Sequence, residues 1–177
     1  MKKLNIIFPM CGKSSRFNYK FKPFIQISDL TFIELAVKHF KKYINLINIV
    51  YFIIAEEQNI NNDVEQKLKY YFKEINYELI ILQKQTNSHY ETIKKGIYTK
   101  NIIGESIICD CDHSIDIEPM MNYLNNNSID ILVPYWNINE YNNNWDKIII
   151  NEKTNTILNF NNKLSNSKIG IIGCIYF

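Results

Sequence analysis

Positive charge and small residues are concentrated in one loop near the start of the chain. Gly12, Lys13, Ser14 and Ser15 precede Arg16, which is the only arginine in the sequence. Glycine permits close backbone approach, and successive backbone N–H groups in such a turn form a nest for an anion. The guanidinium fork of arginine matches phosphate oxygens, and lysine supplies a point charge. These residue types predict a phosphate-binding loop without Walker A spacing, and a solvated basic loop is the alternative.

Acidic side chains follow an apolar run in the middle of the chain. Asp110 and Asp112 alternate there with Cys109 and Cys111. Because successive side chains of a strand point to opposite faces, the two carboxylates share one face and the two thiols share the other. Two carboxylates on one face are hard ligands of the kind that Mg²⁺ prefers. The alternatives are a zinc site built from both thiols and His113, and a solvated strand end.

Alternating strands and helices must position these two segments. The apolar runs predict strands at residues 4–8, 47–55, 79–82, 106–109 and 129–133. Helical spacing predicts helices at residues 32–40, 63–75, 90–98 and 118–126, the first of them behind a capping box of Thr31 and Glu34. The alternation predicts a three-layer α/β/α sandwich with a mostly parallel central sheet. Ligands of such sheets bind at the carboxyl ends of the strands, where both charged segments lie.

The last third of the sequence departs from this alternation. Residues 147–150 and 156–160 flank a polar turn and predict a hairpin, and residues 169–177 form a final apolar run. With 177 residues and no linker-like stretch, we expect a single domain over residues 1–177. Because the chain stops within an apolar strand, we expect either a short protein or a fragment, and the exposed strand favours a homodimer.

Composition excludes several functional classes. Hydrophobic residues make up 46% of the chain and charged residues 21%, which excludes a disordered chain. The net charge is only +2 and the lysines are scattered, so we expect no nucleic-acid partner. No apolar run approaches the roughly 20 residues of a membrane helix. No secretory signal is evident either, so we expect a cytoplasmic protein whose four cysteines are reduced and buried.

Five short motifs follow one another along the chain. They are Pro9-Met10-Cys11-Gly12-Lys13-Ser14-Ser15-Arg16-Phe17 with Lys22-Pro23, then Gln85-Thr86-Asn87-Ser88, Ile107 to His113, Asn162-Lys163, and Gly173 to Phe177. In this order they resemble the sugar-phosphate nucleotidyltransferase family. The first motif is similar to the family's P-M-A-G-x-G-S-R-F and K-P signature. The second resembles its Q-T-x-G base-binding turn, and the third its I-I-x-N-x-D-Q metal segment. The last two fall where the family has its E-K pair and its G-I-Y-x-F strand.

The resemblance implies a Rossmann-like fold and a reaction. An NTP, with a pyrimidine base favoured, would transfer its NMP to a phosphorylated small molecule and release pyrophosphate. A sugar 1-phosphate is the leading acceptor, with surface-polysaccharide precursors as the products, and Mg²⁺ is the implied cofactor. In-line chemistry of this kind needs positioning and charge neutralisation more than a protein nucleophile.

The resemblance also implies roles for individual residues. Arg16 would hold the leaving pyrophosphate and Lys22 would neutralise charge at the α-phosphate. Asp112 would bind Mg²⁺, joined by Asp110 on the evidence of the shared strand face, and Lys163 would meet the phosphate of the acceptor. The nucleotide would contact the residues of the first two motifs, namely Met10, Cys11, Gly12, Lys13, Ser14, Ser15, Gln85, Thr86, Asn87 and Ser88.

The sequence also departs from the family pattern. Ser14 stands in place of a glycine, and His89 in place of a small residue beside the base. His89 is expected either to stack on or hydrogen-bond the base or to lie on the surface, and His113 either to support the metal ligands or to have no role in the site. The family's second metal-binding Asp lies beyond the last strand, so Asp110 or Asp116 is the expected substitute. Two other functions stay open: a GT-A glycosyltransferase with Asp110-Cys111-Asp112 as its D-x-D metal site, and a non-catalytic nucleotide-binding protein.

Overall fold

The computed structural model describes residues 3–138, 146–161 and 166–177. Its central sheet has five strands in the order β11-β6-β1-β4-β5. They are β1 (Leu4–Pro9), β4 (Ile47–Ala55), β5 (Tyr77–Leu82), β6 (Ser106–Cys109) and β11 (Cys174–Tyr176). Strands β1, β4, β5 and β6 run parallel, and β11 pairs antiparallel with β6. This confirms the predicted mostly parallel sheet.

Alternate residues of the central strands feed two apolar cores. On one face, Phe8 and Phe52 stack at 5.6 Å between ring centroids, and Phe72 stacks on Phe52 at 5.3 Å. This core is covered by α1 (Phe32–Lys38), α3 (Val64–Tyr71) and α5 (Glu118–Asn126). On the other face α4 (His89–Lys100) packs so closely that a Cβ at Gly96 would lie 2.3 Å from Ile53. The three-layer arrangement is therefore as predicted.

Local signals at the helix starts explain where the helices begin. The Thr31 hydroxyl accepts from the Glu34 backbone N–H, and the Glu34 carboxylate accepts from the Thr31 N–H, which confirms the predicted capping box. The predicted helix over residues 63–75 is shorter, because Asp63 adopts a left-handed conformation and the regular helix ends at Tyr71. A further helix, α2 (Glu56–Asn62), precedes it and was not predicted.

Outside the central sheet the chain forms two antiparallel sheets. Strands β2 (Gln26–Ile27) and β3 (Leu30–Thr31) make a small hairpin. The other sheet has the order β7-β10-β8-β9, with β7 (Tyr135–Asn137), β8 (Lys147–Asn151), β9 (Thr156–Asn161) and β10 (Ile169–Ile171). The pairing of β8 with β9 confirms the predicted hairpin.

Two of the predicted strands are wrong in detail. Residues 129–133 form no strand, and only Leu132 makes a bridge, exchanging both backbone hydrogen bonds with Tyr176. The edge of the sheet beside β6 is taken by β11, while Ile131 is 63% exposed. The final apolar run is not one strand but two, because the Ile172 N–H bonds to Pro134 and the chain passes from one sheet to the other.

Two sequence-based expectations concern burial. All four cysteines are buried as free thiols, as predicted. The Sγ atoms of Cys109 and Cys174 lie 3.1 Å apart on adjacent strands β6 and β11. Within the described residues, no helix has the length and apolar character needed to cross a membrane.

Candidate active site

The acidic segment lies at the carboxyl end of β6, and its side chains alternate as predicted. The thiols of Cys109 and Cys111 are buried in the larger core, whereas Asp110 and Asp112 face a cavity. Burial raises the pKa of Cys111 to about 12, so its thiol stays protonated at neutral pH. Among the described residues, the group with the spacing of a metal site is Asp110, Asp112 and His113, without a thiol. The alternative of a cysteine zinc site is therefore wrong.

Asp110 is held from three sides. Its Oδ1 lies 3.1 Å from Nε2 of His89, and its Oδ2 lies 3.4 Å from Nδ1 of His113. Its backbone N–H donates to the carbonyl of Gly173 at 2.8 Å. Burial by itself would raise the pKa of Asp110, but the hydrogen bond and charge of His89, with the charges of His113 and Lys22, bring the pKa below its ordinary value. The carboxylate is therefore ionised and fixed in place.

Lys22 connects the positive loop to this acidic segment. Its Nζ lies 3.1 Å from Oδ2 of Asp112, and its backbone N–H donates to the Ser14 hydroxyl at 3.3 Å. A short 3-10 turn over Lys22–Phe24, with Pro23 buried beneath it, sets its direction. Burial would lower the pKa of Lys22, but Cys111 and the carboxylates of Asp112 and Asp110 raise it above its ordinary value. The ammonium stays charged beside the carboxylates.

Gly173 is required by the geometry of the acidic segment. A Cβ at this position would lie 2.1 Å from Oδ2 of Asp110 and 2.5 Å from Nδ1 of His113. Real Cβ atoms do not approach other heavy atoms so closely, so the missing side chain is what allows the strand to lie against this pair. The same pair, with Asp112, offers ligand atoms within 4.8 Å of one another. Ligands about 2.1 Å from one ion lie about 3–4 Å apart. The 3.4 Å between Oδ2 of Asp110 and Nδ1 of His113 falls in that range, so this pair fits a divalent metal.

The glycine-containing loop is open by comparison. A Cβ at Gly12 would meet no atom within 4 Å, and the Gly12 carbonyl accepts from the buried Gln58 amide at 3.0 Å. Ser14 has a φ of 53°, the left-handed conformation that glycine adopts without strain, which explains why the resembled motif has glycine there. Cys11 is directed into the smaller core, where burial raises its pKa to about 12. Ser15 and Arg16 are exposed.

Three adjoining cavities surround the two charged segments. The central cavity, about 350 Å³, is lined by Met10, Gly12, Lys13, Ser14, Lys22, Thr86, Asn87, Ser88, His89 and Asp110, among others. The amide cavity, about 350 Å³, lies on the other side of the loop and is lined by Gln58, Asn61, Asn62 and Gln85 together with Gly12, Lys13 and Ser14. The carboxylate cavity, about 480 Å³, contains Arg16, Lys22, His89, Asp110, Asp112, His113, Asp146 and Gly173. Lys22, His89 and Asp110 line both the central and the carboxylate cavity.

The turn before α4 has a structural role as well as a place in the site. The Ser88 hydroxyl accepts from the Glu91 N–H at 3.1 Å and is the N-cap of α4. Thr86 is buried, and its hydroxyl bonds to that of Thr92 within α4. The Asn87 N–H donates to the Glu91 carboxylate at 2.8 Å. These bonds fix the turn against the central cavity.

The positions of two residues in the site were not predicted from the sequence. His89 was expected either at the base or on the surface, whereas the structure places it against Asp110, because helix α4 begins at the edge of the acidic segment. Asp146 lines the carboxylate cavity, and nothing in the sequence pointed to it, because it lies in a polar stretch without a recognisable motif.

Asp116, named as a substitute metal ligand, instead accepts from the Glu118 N–H at 3.0 Å at the start of α5. Lys163 lies outside the described residues.

Comparison with known proteins defines the fold. No family model matches the sequence, and no curated protein sequence matches it. Solved structures do match. The nucleoside-diphosphate-sugar pyrophosphorylase from Vibrio cholerae RC9 superposes with a TM-score of 0.72 at 18% identity, over 97% of this chain and 72% of that one. The inositol-1-phosphate CTP transferase from T. maritima gives 0.76 at 10% identity, over 99% and 70%.

A third match is the structure of a complex. A UDP-glucose pyrophosphorylase complexed with UDP-glucose superposes with a TM-score of 0.74 at 17% identity, over 100% of this chain and 76% of that one. At identities this low, the superpositions establish the fold alone. This fold agrees with the family resemblance seen in the sequence. The chain therefore adopts the α/β fold of the sugar-phosphate nucleotidyltransferases.

Proposed function

We propose that the protein is a nucleotidyltransferase that moves NMP from an NTP to a phosphorylated acceptor and releases pyrophosphate. The observation that carries the proposal is the Lys22–Asp112 ion pair of 3.1 Å, which joins the positive loop to the acidic strand end where two cavities meet. A reaction between two phosphorylated substrates needs cations that bind phosphate and carboxylates that bind a metal ion, close to one another. The matched solved structures include a CTP transferase and a UDP-glucose pyrophosphorylase, which supports this reaction class.

In the proposed reaction an oxygen of the acceptor's phosphate attacks the α-phosphorus of the NTP. The bond from that phosphorus to the bridging oxygen of the β-phosphate breaks, and pyrophosphate leaves with the electron pair. Backbone N–H groups of the Gly12–Ser14 loop bind phosphate oxygens, and Arg16 binds the pyrophosphate. Lys22 neutralises charge at the α-phosphate. Such positioning and neutralisation account for most of phosphoryl-transfer catalysis.

Asp110 and Asp112 are the residues that would hold the metal, with Mg²⁺ as the ion that the resemblance implies. A divalent ion bound there neutralises the phosphate oxygens of the nucleotide. Lys22 and His89 keep both carboxylates oriented toward the cavities through contacts of 3.1 Å each. The carboxylates are thus preorganised before a nucleotide enters.

The substrates divide naturally between the cavities. We place the base of the NTP in the amide cavity, because Gln85 and the amides of Asn61 and Asn62 offer donors and acceptors to a base edge. The acceptor's phosphate enters the carboxylate cavity beside Arg16 and Lys22. A pyrimidine base, a sugar 1-phosphate acceptor, use in surface-polysaccharide precursors and a homodimer rest on the sequence argument alone.

Pyrophosphate release tests the proposal. The protein is incubated with Mg²⁺ or Mn²⁺, each NTP in turn, and a pool of sugar 1-phosphates and phosphocholine-type acceptors. We expect release with one NTP that depends on an acceptor. Acceptor-independent turnover would contradict the proposal. Silence from folded protein with every pair would also contradict it, and would favour a nucleotide-binding protein without turnover. UDP-sugar turnover with Mn²⁺ would favour the glycosyltransferase.

A further inference from the structure

We infer that His113 is a third metal ligand beside Asp110 and Asp112, and that this mixed oxygen and nitrogen site prefers Mn²⁺ to Mg²⁺. The inference deepens the proposed function and rests on it only for the site's role in turnover. Metal binding itself is measured on the protein without substrates.

The first support is the position of the three side chains. One ligand atom from each of Asp110, Asp112 and His113 lies within 4.8 Å of the others. The Nδ1 of His113 is 3.4 Å from Oδ2 of Asp110, longer than a strong charge-assisted hydrogen bond but within the spacing of two ligands on one ion. All three side chains line the carboxylate cavity, where an ion and a phosphate can both enter.

The second support is Gly173. Its backbone carbonyl accepts from the Asp110 N–H at 2.8 Å, so the strand is fixed directly against the acidic segment. The space that a Cβ would fill at Gly173 lies 2.1 Å from the Asp110 oxygen and 2.5 Å from the His113 nitrogen. The absence of a side chain at Gly173 therefore lets its backbone lie directly against the two side chains that would share an ion, and all three residues line the carboxylate cavity.

The nature of the donors sets the metal preference. Mg²⁺ favours oxygen ligands in a regular octahedron and gives up its waters reluctantly. Imidazole is a ligand of first-row transition metals, the series that begins with Mn²⁺, whereas carboxylates suit Mn²⁺ and Mg²⁺ alike. Lys22 already neutralises part of the charge on Asp112. The imidazole adds to the attraction of the two carboxylates, and it adds more affinity for Mn²⁺ than for Mg²⁺.

The other imidazole nearby has a different role. His89 approaches the opposite oxygen of Asp110, at 3.1 Å from Oδ1, and comes from the first turn of α4. It does not belong to the group of ligand atoms within 4.8 Å. His89 therefore positions the carboxylate, and a substitution of His89 is the matched control for loss of an imidazole at this site.

The test uses Mn²⁺ alone with the full chain. Electron paramagnetic resonance measures Mn²⁺ affinity, and electron spin-echo modulation detects a coordinated nitrogen. We expect nitrogen coupling in the wild type and in His89→Ala, and its loss in His113→Ala and His113→Asn. We expect both His113 variants to bind Mn²⁺ about tenfold more weakly or worse, with Mg²⁺ affinity, measured by competition, changed less than about threefold. His39→Ala removes a histidine that contacts Ser114, the neighbour of His113, and that lies outside the group of ligand atoms, so this variant should keep the nitrogen coupling.

Several results would overturn the inference. They are absence of nitrogen coupling in the wild type, persistence of coupling in a folded His113 variant, and equal loss of Mn²⁺ and Mg²⁺ affinity. Thermal melting shows which His113 variant is folded, and the asparagine variant preserves a polar side chain of similar reach. Nitrogen coupling without pyrophosphate release would uphold the metal site and reject the proposed reaction. Pyrophosphate release without nitrogen coupling would uphold the proposed reaction and reject His113 as a metal ligand.

Discussion

The glycine-containing loop and the acidic segment face the same cavities but are held in opposite ways. Lys13 and Arg16 are exposed, and a Cβ at Gly12 would meet nothing within 4 Å. In the acidic segment, Asp110 contacts two histidines and a strand backbone, and a Cβ at Gly173 would collide with it. One region is open and the other is packed from three elements.

The difference indicates how each region works. The carboxylates have partners within the protein itself, the Lys22 ammonium and the two imidazoles, so the segment is held in place before any ligand binds. The loop exposes Lys13 and Arg16 to solvent, where under the proposed function an incoming phosphate would supply their partner. Substitutions in the packed region should therefore affect both folding and chemistry, and substitutions in the open loop should affect binding and chemistry alone.

Removal of the Asp112 charge should have the largest effect. Asp112→Asn takes away a metal ligand and leaves the Lys22 ammonium without its carboxylate partner. We expect kcat/KM for pyrophosphate release to fall on the order of a thousandfold. Asp116→Asn is the matched control, because Asp116 is close in sequence but bonds to the start of α5. Equal losses in the two variants would contradict the assignment.

The second largest loss of activity is expected for substitution of Arg16, which tests the open loop. Arg16→Ala should lower kcat/KM by about a hundredfold, because the leaving pyrophosphate loses its guanidinium, while the melting temperature is unchanged. Lys20→Ala removes the same charge from an exposed neighbour and serves as the control. Steady-state kinetics and thermal melting are the measurements. Unchanged turnover in Arg16→Ala would remove the loop from the mechanism.

A methyl group at position 173 tests the packed region. Gly173→Ala forces a Cβ against Asp110 and His113, so we expect a loss of about 1–3 kcal/mol in the free energy of unfolding. For a chain of this size that is a fall of several degrees in melting temperature. Mn²⁺ affinity should fall with it. A variant with wild-type stability and metal binding would show that the contact relaxes freely.

The same change at Gly12 should have the smallest effect on stability. Gly12→Ala meets open space, and its φ is not in the left-handed region. We expect stability to be unchanged or raised by up to about 1 kcal/mol, since alanine reduces the freedom of the unfolded chain. The KM for the NTP should rise a few-fold, because the methyl group enters two cavities. A destabilisation as large as that of Gly173→Ala would refute the contrast between the regions.

The sequence predicted the parts of the fold that depend on local or periodic signals. The capping box at Thr31 and the alternation of Asp110 and Asp112 with the cysteines follow from chain geometry, and both are present. The prediction of a strand at residues 129–133 was wrong, because strand pairing depends on which segment takes the edge of the central sheet beside β6. That edge is occupied by β11, a segment about 45 residues later. Apolar content alone does not reveal such competition.

Residue types predicted which side chains belong to the candidate site. They did not predict the contacts among those side chains. Arg16, Lys22 and the two aspartates stood out in the sequence, but their arrangement around shared cavities depends on distant contacts. The approach of His89 to Asp110 and the fit of Gly173 against His113 join residues from different elements. The place of Asp146 in the carboxylate cavity is equally non-local. Each arises from how α4, β8 and β11 meet the end of β6.

The most direct test of the central claim follows the phosphates of the NTP. The protein is supplied with the NTP and acceptor that support turnover, labelled either at the α- or at the γ-phosphate. Attack at the α-phosphorus predicts that the α-label appears in the acceptor product and the γ-label in pyrophosphate. Transfer of the γ-label to the acceptor, or its release as orthophosphate, would contradict the account.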